Sequence, residues 1–160
     1  MLDGQKGEME DEDIYIKTGK LVLFIDSNIE ELARSKASFD SLTNFKGEAM
    51  YFEDGEETLQ FLSSVRTKDG QQSVADLIFL TYSVAQADGL QLMEQIINFC
   101  RVWSPVGVQL KPKIIICSSF SLQTFQNYVM SKGALGFIQL PLTVDALRKC
   151  CVSNKIIKRQ

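Results

Sequence analysis

The sequence contains no histidine among its 160 residues, and this absence removes several kinds of chemistry. A Ser-His-Asp triad, a Cys-His pair and a histidine-ligated zinc ion all need an imidazole. The cysteines form no C-x-x-C pair, which argues against a zinc ribbon or a thioredoxin-like motif; they are Cys100, Cys117, Cys150 and Cys151. We therefore expect buried, reduced thiols without a catalytic role.

An excess of basic residues is also lacking. Lys and Arg total 17 against 20 Asp and Glu, so the formal net charge is −3, without the basic stripe typical of a nucleic-acid-binding protein. No apolar run reaches the ~18 residues of a membrane span. The first residues lack the basic start and apolar stretch of a secretion signal. We expect a cytoplasmic protein that binds neither nucleic acid nor membranes.

The length predicts one domain, because domains average roughly 150 residues. Residues 1–18 are mostly polar and acidic and are predicted to form a disordered tail. Residues 19–152 carry the hydrophobic patterning of a folded domain. Residues 153–160 are predicted to be a basic C-terminal tail or a linker stub.

Within 19–152, short apolar runs alternate with amphipathic segments. The runs do not alternate apolar with polar residues, which is typical of strands covered on both faces; they lie at 21–25, 49–52, 77–80, 114–117 and 136–138. Helical spacing follows each run, with Thr143 as the expected cap of the last helix. The order β-α, five times over, predicts an α/β fold: a five-stranded parallel sheet, doubly wound as (βα)5.

In such a sheet, functional sites form at the carboxyl ends of the strands. Asp26 follows the first run and Thr81 the third. The turn after Asp26 has no glycine, which argues against a dinucleotide or P-loop phosphate site. One carboxylate beside a hydroxyl would make at most a weak magnesium site, because Mg²⁺ usually needs more anionic oxygens. The sequence therefore predicts no cofactor.

These segments, in this order, resemble the receiver domain of response regulators over residues 19–152, which implies the flavodoxin/CheY-like fold. The resemblance rests on an acid after the first strand, glycine-containing turns before two helices, an acid before the third strand, and prolines or a Gly-Ala pair around the last two strands. The matching residues are Asp26, Asp54-Gly55, Asp76, Asp88-Gly89, Pro112, Gly133-Ala134 and Pro141.

The resemblance also implies that the phosphorylation site has degenerated. Thr81 stands where receivers carry the phosphoacceptor aspartate, and Ser27 replaces the second of the two metal-binding acids. Leu140 replaces the lysine that pairs with the phosphate, so no charge compensation remains there. The switch Thr/Ser position falls on Cys117, or on Ser118 if the register shifts by one. The implied class is a pseudo-receiver that is not an enzyme and neither accepts nor hydrolyses phosphate.

Receivers pass signals through the face built from the fourth helix, the fifth strand and the fifth helix. By resemblance this partner face comprises Gln123, Gln126, Asn127, Phe137 and Arg148, with Phe137 at the switch-aromatic position. We expect a phosphorylation-independent protein-protein interaction in two-component signal transduction, with a kinase, another signalling domain or a second copy as partner. Two alternatives stay open: a small-molecule or redox sensor using a strand-end pocket, and a receiver with residual phosphoryl or metal chemistry.

Overall fold

The computed structural model describes residues 14–82, 89–104, 110–120 and 122–158, without the side chain of Trp103. The strands in chain order are β1 Tyr15–Ile16, β2 Lys20–Ile25, β3 Gly47–Phe52, β4 Val65–Arg66, β5 Leu77–Thr81, β6 Ile114–Ser118 and β7 Gly136–Gln139. The helices are α1 Ile29–Asp40, α2 Gly55–Ser64, α3 Gly89–Trp103, α4 Gln123–Ser131 and α5 Val144–Ser153.

Five of these strands form one parallel sheet in the order β3-β2-β5-β6-β7. Each of the five predicted apolar runs lies within one of these strands, so the predicted doubly wound α/β fold is confirmed. From β2, the chain adds β3 on one side and then β5, β6 and β7 on the other, so the strand order reverses between β2 and β5. In sheets of this kind, that reversal marks the crevice in which sites form.

Both faces of the sheet are buried, which explains the unbroken apolar runs. Along β2, Leu21, Leu23 and Ile25 pack with α2, α3 and α4, while Val22 and Phe24 pack with α1 and α5. Successive strand residues point to opposite faces, so a strand between two helical layers needs apolar side chains at every position.

Polar side chains set the starts of three helices. Asn28, Asp54 and Thr143 each accept a hydrogen bond from a backbone amide in the first turn of α1, α2 and α5. Such caps satisfy amides that have no partner within the helix. The cap expected at Thr143 is confirmed. Just after the carboxyl end of α4, Gly133 adopts a φ of 120°, a conformation that favours glycine.

The folded part extends beyond the predicted limits of 19 and 152. Within the predicted tail 1–18, β1 pairs in parallel with β4, and the Tyr15 ring packs edge-on against Phe61 at 5.2 Å. Within the predicted tail 153–160, Ile156 and Ile157 are only 5% and 8% exposed. A two-residue strand and an isolated apolar pair carry no periodicity, so the sequence pattern did not reveal them. Residues 1–13 and 159–160 lie outside the described residues.

No helix in the described ranges combines the length and the apolar character that crossing a membrane requires.

Candidate functional site

The carboxyl ends of β2 and β5 bring two predicted site residues together. These strands are parallel neighbours with Ile25 paired to Leu80, so the next residues, Asp26 and Thr81, lie side by side. They line a cleft of about 270 Å³. The described residues around it are Asp26, Ser27, Asn28, Glu31, Thr81, Tyr82, Ser118, Ser119 and Leu140.

Asp26 is buried, with 6% of its surface exposed, and both of its carboxylate oxygens accept hydrogen bonds. Oδ1 accepts from the backbone amide of Asn28 at 2.9 Å, and Oδ2 accepts from the Thr81 hydroxyl at 2.9 Å. Burial raises the pKa of Asp26 above its ordinary value; the two hydrogen bonds act in the opposite direction, and the nearby Glu31 charge adds to the increase. Asp26 is thus a turn residue with one hydrogen bond to each of its carboxylate oxygens.

Leu140 supplies an apolar wall to the same cleft, as the resemblance implied. Its backbone amide donates to the carbonyl of Ser118 at 2.9 Å, which holds this side chain at the end of β7. No lysine or arginine occurs among the described residues that line the cleft. The sequence of the neighbouring segment 83–88, which the structure does not describe, contains none either.

Cys117 and Ser118, the two candidates for the switch position, have side chains on opposite sides of β6. Ser118 lines the cleft, and its Oγ accepts from the backbone amide of Phe120 at 3.0 Å. Cys117 packs instead in the core beneath α1 and α5, where burial raises the pKa of its thiol far above the ordinary value. Of the two, only Ser118 reaches the site, and Cys117 is a core residue.

Glu31, on α1, lies at the cleft although the sequence reasoning did not select it. One of its carboxylate oxygens pairs with Arg34, while Oε2 is buried without a hydrogen-bond partner among the described residues. Its signal in the sequence was only its place in the first turn of α1, one turn after Asn28. Glu31 brings a second negative charge close to Asp26.

The donor set of the cleft makes at most a weak magnesium site. Each oxygen of Asp26 already accepts a hydrogen bond, and Ser27 brings no carboxylate to the position beside it. Glu31 brings the second carboxylate, and one of its oxygens pairs with Arg34. Within the described ranges, no group of three or more His, Cys, Asp and Glu side chains is arranged to hold a metal ion. Mg²⁺ in proteins is bound in a near-octahedral arrangement, usually with one or two carboxylates.

The predicted partner face is only partly assembled. On α4, the Gln123 side chain donates to that of Asn127 at 2.9 Å, and both residues are exposed, while Gln126 is half-buried. Phe137 on β7 is also half-buried, with its ring 5.9 Å from that of Phe125. Arg148 is exposed on α5 but lines a separate groove beside the residues that follow α1.

A chain of aromatic rings joins the cleft to this face. Tyr82, which lines the cleft, contacts Phe125 edge-on at 4.8 Å, and Phe125 contacts Phe137. Phe120 adds a further edge-on contact with Phe125 at 5.3 Å. Phe125 is therefore the central ring between the strand ends and β7, a position that the sequence pattern did not single out.

Comparison with solved structures shows which proteins share this arrangement. A two-component response regulator from Clostridium difficile is 18% identical, covers 85% of this chain over 95% of its own, and gives a TM-score of 0.64. A chain of the CheX–CheY–BeF3–Mg complex from Borrelia burgdorferi is 19% identical; the match covers 84% of this chain and 87% of that chain, with a TM-score of 0.64. The receiver domain of a sensor histidine kinase from Pseudomonas aeruginosa, solved with a magnesium ion in its active-site cleft, is 17% identical. That match covers 85% of this chain and 97% of that domain, with a TM-score of 0.62.

No family model matches the sequence, and no curated protein sequence matches it either. The likeness therefore lies in the three-dimensional arrangement, at identities too low to carry function. The chain has the fold of the CheY-like receiver domains of two-component response regulators.

Proposed function

We propose that this chain is a non-catalytic pseudo-receiver of two-component-type signalling, which binds a protein partner without being phosphorylated. The proposal takes the receiver fold as its starting point and the chemistry of the strand-end cleft as its support. It assigns no catalytic residue and no cofactor. The partner would be a kinase, another signalling domain or a second copy of the chain.

The observation that carries the proposal is the hydrogen bond from Thr81 to Asp26 in a cleft walled by Leu140. A threonine hydroxyl cannot form the acyl phosphate that an aspartate carboxylate forms. Stabilising a phosphoryl group in transfer also requires positive charge around its oxygens. The described lining offers the carboxylates of Asp26 and Glu31, the latter paired with Arg34, and an apolar side chain, so it supplies no cation to a phosphoryl group.

Exposed apolar side chains support a protein partner. Five large ones cluster in sequence on and around α4: Phe120, Leu122, Tyr128, Met130 and Leu135, each more than two-fifths exposed. Aromatic residues and methionine are enriched in protein interfaces. Phe137 is held by Phe125, so we expect this face to keep one conformation and to bind its partner constitutively.

The cleft gives little support to the small-molecule alternative. Its volume of about 270 Å³ lies below the usual range of ~300–1,000 Å³ for ligand pockets. Nothing in the described lining favours a redox group, because Cys117 points away from it.

Amide NMR spectra during titration with Mg²⁺, followed by beryllofluoride as a phosphate mimic, test the proposal. We expect unchanged amide positions at Asp26, Thr81 and Phe137 up to millimolar Mg²⁺. The matched control is the triple variant Ser27→Asp, Thr81→Asp, Leu140→Lys, which restores the receiver residues and should respond. Clustered shifts in the unsubstituted protein would overturn the proposal and indicate a receiver with residual phosphoryl chemistry.

A separate NMR experiment tests whether Phe137 keeps one conformation. In protein with isotope-labelled phenylalanine, the Phe137 ring should give one set of signals without exchange broadening, with or without beryllofluoride. Phe125→Ala removes the ring that holds it and should introduce broadening. Phe120→Ala, which removes a more exposed ring from the same cluster, serves as the control. Exchange at Phe137 in the unsubstituted protein would contradict a fixed face.

A further inference from the structure

A second, larger cavity lies at the amino-terminal ends of the strands, opposite the cleft. Its volume is about 880 Å³. The segments before β2 and β3, the turn after β4 and the residues after α5 enclose it. The lining residues that bear on its charge are Lys17, Lys20, Lys46, Asp76, Lys155 and Lys158.

Positive charge in this cavity is largely uncompensated. Asp76 is the single acid in its described lining, and its carboxylate is already used: Lys17 pairs with it at 3.0 Å, and the Leu21 amide donates to Oδ2 at 2.7 Å. Within the described part of the chain, the other four lysines form no ion pair. Four ammonium groups without an ion-pair partner among the described residues thus line one cavity, in a chain whose net charge is −3.

The wall that carries Lys155 and Lys158 is firmly attached to the domain. Between them, Ile156 and Ile157 are buried in the core beneath α1 and α5. The Ile156 amide donates to the carbonyl of Cys151 at 2.8 Å, and Lys155 adopts a left-handed φ of 60°, uncommon for a residue with a side chain. The backbone therefore holds these two lysines at the cavity rather than on a loose end.

The chain itself carries a complementary segment. Residues 1–13 contain one lysine and six acids, namely Asp3, Glu8, Glu10, Asp11, Glu12 and Asp13. This segment joins the domain at Ile14, three residues before Lys17, which lines the cavity. At ~3.4 Å per extended residue, the eleven residues 3–13 reach up to about 37 Å, enough to cover the cavity.

We propose that the acidic segment 3–13 binds in this lysine-lined cavity of its own chain. Each exposed ion pair contributes little by itself, about 0–1 kcal/mol. The tether compensates, since a short flexible link produces an effective concentration in the millimolar range. Attraction of this kind is screened by salt, so the segment dissociates as ionic strength rises. The proposal does not rest on the proposed pseudo-receiver function.

Amide NMR of the full chain tests the contact directly. The comparison variant carries Glu8→Gln, Glu10→Gln, Asp11→Asn, Glu12→Gln and Asp13→Asn. At low salt, the two spectra should differ at Lys17–Lys20, Lys46 and Lys155–Lys158, and the difference should vanish at high salt. Coincident cavity amides at low salt would overturn the proposal.

Carbodiimide crosslinking identifies the lysines and separates intramolecular from intermolecular contact. We expect crosslinks from residues 8–13 to Lys20, Lys46, Lys155 and Lys158 within one chain. In Lys20→Gln, Lys46→Gln, Lys155→Gln the crosslinks to the remaining Lys158 should weaken, because three charges of the cavity are gone. The matched control, Lys36→Gln, Lys68→Gln, Lys132→Gln, removes the same charge elsewhere and should keep them. Equal yields at lysines outside the cavity, or crosslinks formed mainly between isotopically distinct chains, would overturn the proposal.

Binding of a competing anion to the cavity gives a third test. Tripolyphosphate should bind the chain with neutralised acids several-fold more tightly than the unsubstituted chain, because the segment no longer occupies the cavity. Equal affinity for both chains would show an anion site that the segment does not cover, and would also overturn the proposal.

Discussion

The hydroxyl of Thr81 donates a hydrogen bond of 2.9 Å to Oδ2 of Asp26, across the ends of two neighbouring parallel strands. A donor at this position satisfies the buried carboxylate without a cation. A second carboxylate would instead face the first, and the pair would need a metal ion or a proton. An acid at position 81 would therefore make the cleft depend on a cation, whereas the hydroxyl lets the protein satisfy Asp26 by itself.

Thr81→Val should lower the free energy of unfolding by about 1–2 kcal/mol, because Oδ2 of Asp26 stays buried and loses its donor. Urea denaturation measures the change. Thr124→Val makes the same substitution at an exposed position of α4 and should alter stability by less than about 0.5 kcal/mol. Equal effects of the two substitutions would contradict a structural role for the Thr81 hydrogen bond.

The raised pKa of Asp26 predicts a pH dependence of definite sign. The folded state binds this proton more tightly than the unfolded state, so the protein loses stability as pH rises from the ordinary Asp value of 3.8 through the raised value. Asp26→Asn removes the titrating group and with it this pH-dependent loss of stability. The free energy of unfolding of the variant minus that of the parent should therefore increase as pH rises from 3.8 through the raised pKa, and then level off. Unfolding curves at successive pH values measure it, and a decrease would show that the pKa is lowered.

Thr81→Asp should make the protein dependent on a divalent cation. Two adjacent carboxylates, with Glu31 nearby, should lower the free energy of unfolding by about 2 kcal/mol in the absence of metal. Mg²⁺ at tenfold its dissociation constant would restore about 1.4 kcal/mol. Thermal unfolding with and without Mg²⁺ measures both effects. Thr81→Asn, similar in size but uncharged, should not respond; equal stabilisation of the unsubstituted protein by Mg²⁺ would contradict the prediction.

Ile156→Ala should lower the free energy of unfolding by about 2–4 kcal/mol, because it opens a cavity in the core beneath α1 and α5. Ile29→Ala is the matched control, since Ile29 is 64% exposed and should change stability by less than about 0.5 kcal/mol. Denaturant unfolding distinguishes the two. A negligible effect at Ile156 would mean that the domain ends near residue 152, as the sequence pattern indicated.

The sequence pattern located the strands of the main sheet closely, but it missed strand β1 and the cleft residue Glu31. The run at 77–80 became Leu77–Thr81, and the run at 21–25 became Lys20–Ile25, because strands buried on both faces must be apolar throughout. β1 escaped notice because two residues carry no period. Glu31 escaped because its position at the cleft depends on the direction in which α1 leaves β2, and a linear pattern does not contain that direction.

By itself, the sequence determined the fold class, the five core strands and the residue types at the strand ends, since hydrophobic periodicity and chain order suffice for these. Only the tertiary structure decided that Ser118 rather than Cys117 enters the cleft, that Thr81 binds Asp26, and that lysines distant in sequence surround one cavity. These relationships depend on strand register and on the packing of the chain after α5. They arise between residues far apart along the chain, where side-chain direction and distance are set by the packed layers.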